Sequence, residues 1–236
     1  FTVPGNHDCA LSPPDPIREA ILTSVRNDPH QADSAEVQEH CLQAQDEYRK
    51  LDEQIASEVD GALRLARDIE LGSIVLRLVN SAWMSSIHEG PGTLVFPAAS
   101  ITDIGDKFTI TCLHHPPQWY TPSTRRELWR VLAQSSDLIL TGHEHESAQS
   151  HISSPADKTL YSHFEGAVLQ QDGLSDESSF VVYIIDPAER TYEVYEYHWK
   201  GKEKEYRFQA PAGHLRPQAV PLPLNRIRSL RSFEYS

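Results

Sequence analysis

The chain has 236 residues, 39% of them hydrophobic, and its formal net charge is −13 at pH 7. This length supports one domain with a buried core, and the acidic balance argues against general binding to nucleic acid or anionic membranes. No apolar run approaches the roughly 18 to 20 residues that a membrane-spanning helix needs. Cys9, Cys41 and Cys112 are few, odd in number and not spaced like a disulfide framework, which favours a reducing compartment such as the cytoplasm.

The N-terminal part of the chain has a mainly helical pattern. Residues 1–3 are typical of the end of a strand that runs into a loop, and residues 17–25 favour a short helix. A longer helix is predicted over residues 34–71, because apolar residues recur at steps of three and four and Ser34 suits the N-cap. We interpret residues 13–70 as a helical insert. Its acidic stretch, residues 28–70, is either a solvated helix face, a cap that limits substrate size or, through the helix at residues 34–71, a docking surface for a protein partner.

Strands and one helix alternate through the rest of the chain. Short aliphatic and β-branched runs predict strands, and Pro122 precedes a helical pattern at residues 124–132. The predicted strands are residues 72–80, 108–113, 137–141, 159–163, 179–185 and 191–197. Residues 209–236 are basic and rich in proline, and we interpret them as an extended tail or linker, or a partner-binding arm, after a domain at residues 1–208.

Three short motifs carry the candidate chemistry. They are Gly-Asn-His-Asp at residues 5–8, Leu-His-His-Pro at residues 113–116 and Gly-His-Glu-His at residues 142–145. Imidazole nitrogens and amide oxygens are ligands that borderline divalent metals accept. Each motif alone is weak evidence, whereas the ordered set indicates a metal centre. The last motif differs from the zinc-protease pattern, which places two histidines four residues apart on a helix.

With this ordered set the chain resembles the calcineurin-like metallophosphoesterases, which hold two metals between the edges of a β-sandwich. The resemblance covers most of the chain and implies an α/β (α+β) fold, a layered β-sandwich flanked by helices. The family pattern has two earlier blocks, Asp-x-His and Gly-Asp-x-x-Asp, and neither precedes Gly5 here. We therefore expect this chain to be the C-terminal part of a longer protein, without the N-terminal strands. Alone, it is expected to bind metal poorly and to be inactive.

The resemblance implies two divalent metal ions, for which Mn, Fe and Zn all suit imidazole and amide ligands. It assigns one ion to Asn6, His114 and His143, and the other to His145 with ligands from the missing blocks. Gly142 is expected to let the backbone turn tightly enough for both histidines of its motif to face the centre.

The implied reaction is hydrolysis of a phosphodiester or phosphomonoester by in-line attack of a metal-bridging hydroxide. His7 would donate a proton to the leaving alkoxide or stabilise charge in the transition state, and Asp8 would orient the His7 ring.

Some alternatives stay open at the level of sequence. His115 either faces the cleft or packs behind it, and residues 118–120 either line the cleft with aromatic surface or belong to the core. The alternative function is a non-catalytic protein-interaction module, because some relatives of this fold keep the sandwich but lose ligands. Every ligand that the family pattern places after Phe1 is present here, which favours the enzyme.

Overall fold

The structure, a computed structural model, describes residues 1–55, 63–102, 104–105, 107–144, 148–154, 159–166, 178–200, 205–209 and 219–222. Its helices are α1 (Pro16–Asn27), α2 (Ala35–Leu42), α3 (Asp46–Ile55) and α4 (Pro122–Ser135). Its strands are β1 (Ala66–Leu71), β2 (Ile74–Val79), β3 (Phe108–Leu113), β4 (Leu138–Thr141), β5 (Ala148–Ser154), β6 (Thr159–Glu165), β7 (Ser179–Asp186), β8 (Thr191–Lys200), β9 (Glu205–Phe208) and β10 (Val220–Pro221). None of the helices in these ranges is long and apolar enough to cross a bilayer.

The first sheet has six strands in the order β1-β2-β3-β4-β6-β5. Its inner strands β2, β3, β4 and β6 run parallel, and β1 and β5 pair antiparallel at the two edges. Because parallel strands end at the same edge of a sheet, the segments that follow them lie side by side. Residues 81–84, 114–116 and 142–144, which follow β2, β3 and β4, are placed together in this way.

The second sheet is antiparallel, in the order β10-β8-β7 with β9 also beside β8, and it packs on one face of the first. The core between the sheets contains Phe108, Leu138 and Phe164 from the first sheet and Tyr192 from the second. A separate core joins the other face of the first sheet to α1, α2 and α4. The predicted α/β layered β-sandwich flanked by helices is therefore confirmed.

The prediction of one helix over residues 34–71 is wrong: Ala35–Leu42 and Asp46–Ile55 are separate helices with the 3-10 turn Gln43–Gln45 between them, residues 56–62 lie outside the described residues, and the last part is a strand. Helix α3 spans Asp46–Ile55, and residues 66–71 form β1, which pairs with β2 through a two-residue loop at Gly72 and Ser73. Gly72 has a φ of +66°, a left-handed conformation that tight hairpin loops use and that glycine adopts without steric cost. The helical insert therefore does not extend to residue 70.

The two ends of the chain and two strands also differ from the predictions. Residues 1–3 form no strand, and β5 and β9, which have few aliphatic residues, were not predicted. Within residues 209–236, Val220–Pro221 pair with β8 and Leu222 is 2% exposed in the core between the sheets. At these residues the chain is part of the sandwich rather than a linker; residues 210–218 and 223–236 lie outside the described residues.

Arg77 on β2 is fully buried and forms two hydrogen bonds with the Asp68 carboxylate, of 2.7 and 3.0 Å, and one of 2.8 Å with Oγ of Ser135. Arg77→Ala leaves these partners without their donor, which we expect to lower the free energy of unfolding by about 3 kcal/mol. Urea unfolding measures this loss, with the exposed Arg130→Ala on α4 as a control expected to change stability by less than about 0.5 kcal/mol. Equal stability of the two variants would contradict the structural role of Arg77.

His163 on β6 gives the fold a pH dependence. Burial lowers the pKa of His163 to about 4, from an ordinary value of 6.5, and its Nε2 lies 2.9 Å from Oγ1 of Thr141. Below pH 6.5 His163 is protonated in the unfolded chain but stays neutral in the folded chain, so stability present above pH 6.5 is lost as the pH falls towards 4. The contribution of His163 to this loss in the free energy of unfolding is about 3 kcal/mol. Urea unfolding at several pH values should show that His163→Gln loses less stability than wild type as the pH falls. An identical loss in both proteins would disprove the contribution of His163.

Candidate metal centre

Asn6, His114 and His143 converge at the edge where β3 and β4 end. Nε2 of His114 lies 3.1 Å from Oδ1 of Asn6 and 2.9 Å from Nδ1 of His143. The two imidazole rings meet edge to face, with their centroids 4.9 Å apart. The structure thus brings together the three residues that the family resemblance assigns to one metal, and their binding of a metal stays a prediction.

The electrostatic environment keeps the His114 ring neutral. Burial is the main reason that the pKa of His114 is lowered to about 3. The positive charges that His115, His143 and His7 can carry lower it as well. At neutral pH the ring therefore keeps a nitrogen lone pair, and neutral imidazole is the form that ligates metals.

The backbone of the third motif is held by a hydrogen bond of 3.0 Å from the Gly142 amide to the carbonyl oxygen of His114. The left-handed residue is His143, with a φ of +71°, and not Gly142. A Cβ at Gly142 would meet its nearest neighbours at 3.7 Å or more, which is ordinary contact. Gly142 does lie in a tight turn, because its carbonyl oxygen accepts a hydrogen bond of 2.9 Å from the Glu144 amide, but the turn does not need glycine at this position. The unusual backbone conformation belongs to the candidate ligand His143, a kind of strain that clusters at functional sites.

Gly5 is required for a different reason, since the His114 ring lies against it. A Cβ at Gly5 would lie 2.9 Å from Cε1 of His114, closer than such atoms approach. We expect Gly5→Ala to displace the ring and to weaken metal binding about 10- to 100-fold, the range seen when a ligand loses its positioning. Calorimetric titration with Zn²⁺ tests this, and Gly142→Ala is the matched control with near-normal affinity. Equal affinities of the two variants would exclude the role of Gly5.

His7 and Asp8 lie in the 3-10 turn Asn6–Asp8, and both are exposed. Oδ2 of Asp8 accepts a hydrogen bond of 2.8 Å from the Gly5 amide. The carboxylate thus holds the backbone of the loop that presents Asn6 and His7, rather than the predicted contact with the His7 ring. His145, the predicted ligand of the other metal, lies outside the described residues. Residues 28–30 also have the pattern Asp-x-His. Asp28 is the N-cap of a 3-10 turn there, and its side chain accepts a hydrogen bond of 3.3 Å from the His30 amide.

His115 packs behind the cluster and does not face the cleft. Its side chain is fully buried, with Nδ1 3.0 Å from Oγ of Ser81 and Nε2 3.2 Å from Oε1 of Glu89. One ring nitrogen from each of His114, His115 and His143 lies within 4.8 Å of the other two. Because both nitrogens of His115 already have protein partners, we assign it no ligand role. Ser81 and Glu89 lie in no recognised motif, so sequence analysis missed them.

Trp119 forms a wall beside His143. The indole ring meets the His143 ring edge to face at 4.0 Å between centroids, and its Nε1 donates to Oε1 of Glu144 at 2.8 Å. Gln118 donates to the same oxygen at 2.9 Å. Tyr120 is 1% exposed and belongs to the core. Of the aromatic segment at residues 118–120, Trp119 therefore lies at the candidate site and Tyr120 does not.

The donor set suits a divalent cation. Two imidazole nitrogens and one amide oxygen converge at hydrogen-bond distances, and the His114 ring is neutral. Such donors bind Zn²⁺, Fe²⁺ and Mn²⁺ without adding negative charge, which preserves the acidity of the cation.

No protein-family model matches the chain, and no curated protein matches it. Among solved structures, it is similar to a Vps29 double mutant from Entamoeba histolytica, with 16% sequence identity and a TM-score of 0.31. The match covers 64% of this chain and 63% of the Vps29 chain. At this level of similarity the match carries no argument about what the chain binds or does.

Proposed function

We propose that this chain is part of a metal-dependent phosphoesterase that hydrolyses a phosphodiester or phosphomonoester. The observation that carries the proposal is the convergence of Asn6 Oδ1 and His143 Nδ1 on His114 Nε2. These residues come from three separate motifs, and the parallel sheet brings two of them to one edge. The order of the motifs and the resemblance to the calcineurin-like family support the same reading.

In this proposal Asn6, His114 and His143 hold one divalent ion, and His145 contributes to a second. The bound ions supply Lewis acidity towards the phosphate oxygens and activate a water molecule for attack. His7, exposed on the turn next to Asn6, donates a proton to the leaving alkoxide or stabilises charge on the phosphoryl oxygens. Trp119 offers an aromatic surface beside His143 for the organic part of a substrate.

The proposal is tested with the complete protein, stripped of metal by a chelator and then given Mn²⁺, Fe²⁺ or Zn²⁺. Hydrolysis of bis(p-nitrophenyl) phosphate and p-nitrophenyl phosphate reports diesterase and monoesterase activity separately. We expect at least one metal to restore turnover. Stoichiometric metal binding without hydrolysis of either ester or of a wider phosphate-ester panel would overturn the catalytic proposal.

One observation favours a second candidate function, a protein-interaction module. The outer face of the second sheet carries apolar side chains on β7, β8 and β9, and Val182, Ile184 and Tyr206 are 40%, 53% and 38% exposed. The Phe180 and Tyr197 rings stack on this face at 4.9 Å. Contiguous exposed apolar surface often marks an interaction site. Metal-independent partner binding together with the absence of hydrolysis would favour this candidate.

A further inference from the structure

We propose that Ser81, His115 and Glu89 form a buried positioning chain beneath the metal centre, which fixes the loop carrying His114 and places one carboxylate behind the cluster. This inference rests on the proposed metal site. It assigns a role to three buried side chains outside the ligand set and predicts that they determine metal affinity.

Ser81 anchors the start of the loop that follows β3. Its Oγ accepts hydrogen bonds from the backbone amides of His114, at 3.1 Å, and His115, at 3.0 Å. Ser81 itself is 1% exposed and lies just after β2, the strand paired with β3. One hydroxyl oxygen thus positions the backbone of the candidate ligand from the neighbouring strand.

The same hydroxyl determines which nitrogen of His115 carries a proton. A hydroxyl oxygen accepts two hydrogen bonds and donates one. The two amides use both acceptor positions of Ser81, so Ser81 cannot also accept a hydrogen from Nδ1 of His115, 3.0 Å away, and its own proton, which the Tyr120 hydroxyl also faces, is the donor at this contact. Nδ1 is therefore the acceptor, and Nε2 carries the hydrogen that is donated to Glu89.

Glu89 completes the chain as a buried carboxylate. Its side chain is 5% exposed, and its other carboxylate oxygen accepts from the Ser86 amide at 3.4 Å. A carboxylate in this position adds negative potential behind the His114 and His143 rings, whose centroids each lie 4.7 Å from that of His115. Ser81 is hydrogen-bonded to the candidate ligand His114 itself, and groups in that position commonly set ligand orientation and affinity, whereas Glu89 acts one step further away, through the His115 ring.

The chain is not a second catalytic centre. A nucleophilic serine must reach substrate, whereas Ser81 is 1% exposed and its oxygen is occupied by two amide donors. His115 is fully buried as well. These groups can act on chemistry only through His114 and His143, which makes them positioning residues.

The experiment has two measurements on the complete protein. Long-range ¹H–¹⁵N NMR of the metal-free protein determines the tautomer of His115, assigned by comparison with His115→Asn. Titration with Co²⁺, followed by its visible spectrum, gives the metal affinity of wild type, Ser81→Ala and Glu89→Gln. The matched controls are the exposed Ser123→Ala and Glu127→Gln on α4.

We expect the Nε2–H tautomer in wild type and Co²⁺ affinity about 10- to 100-fold weaker in Ser81→Ala and Glu89→Gln, with unchanged affinity in the controls. An Nδ1–H tautomer overturns the proposed chain without a variant having to fold. Equal Co²⁺ affinity of wild type and both variants overturns it as well, while leaving the metal site intact. Wild-type protein that binds no Co²⁺ overturns both this inference and the proposed function.

Discussion

His143→Ala is expected to abolish metal-dependent ester hydrolysis and to weaken metal binding by more than about 100-fold. Loss of residues behind a ligand already costs about 10- to 100-fold in affinity, so loss of a ligand costs more. Nδ1 of His143 lies 2.9 Å from Nε2 of His114, and removing it leaves two of the three converging donors. Metal content after dialysis and turnover with added Mn²⁺ or Zn²⁺ measure the two effects.

The matched control for this substitution is His30→Ala, which removes an exposed imidazole from the turn after α1. It should leave both metal content and turnover unchanged. If His143→Ala retained wild-type metal content and turnover, His143 could not be a ligand, and the assignment of the cluster would fail.

His7→Ala is expected to lower the turnover number about 10²- to 10⁴-fold, the usual contribution of a positioned general acid, and to leave metal affinity nearly unchanged. The physical reason is its place on the turn Asn6–Asp8, beside a candidate ligand but exposed and outside the converging donors. Steady-state kinetics with a chromogenic ester, together with metal titration, separates an effect on turnover from one on binding.

Two further substitutions sharpen this result. In His7→Gln a hydrogen-bond donor remains but proton transfer is lost, so turnover should stay low with poor leaving groups and recover partly with p-nitrophenolate. Asp8→Asn keeps an oxygen acceptor for the Gly5 amide and should be milder than Asp8→Ala. A wild-type turnover number in His7→Ala would rule out the proposed role of His7.

The central part of the fold was predictable because it depends on local patterns. Aliphatic runs identify β2, β3 and β4, and polar motifs follow the last two of these strands. The structure adds that β3 and β4 are neighbouring parallel strands, which places His114 beside His143 at one edge of the sheet. The Asn6 loop was predicted through its motif and not through a strand, because residues 1–3 form none.

What escaped prediction depends on tertiary contacts or on the conformation of single residues. Arg67 and Asp68 lie within the helix that the spacing of apolar residues predicts. The structure places them on β1, which the Gly72 loop joins to β2 and which the ion pair between Asp68 and Arg77 holds there. Ser81 and Glu89 meet His115 only after folding. The left-handed backbone of His143 has no signature in the sequence, since glycine, the usual residue for that conformation, lies one position earlier.

X-ray absorption spectroscopy of the Zn²⁺-loaded complete protein, wild type and His143→Ala, tests the central claim most directly. The wild-type spectrum should show scattering from imidazole ligands, and His143→Ala should lose imidazole scattering or fail to retain zinc. A wild-type spectrum with oxygen ligands only, or an imidazole signal unchanged by the substitution, would contradict the assignment of Asn6, His114 and His143 as a metal centre.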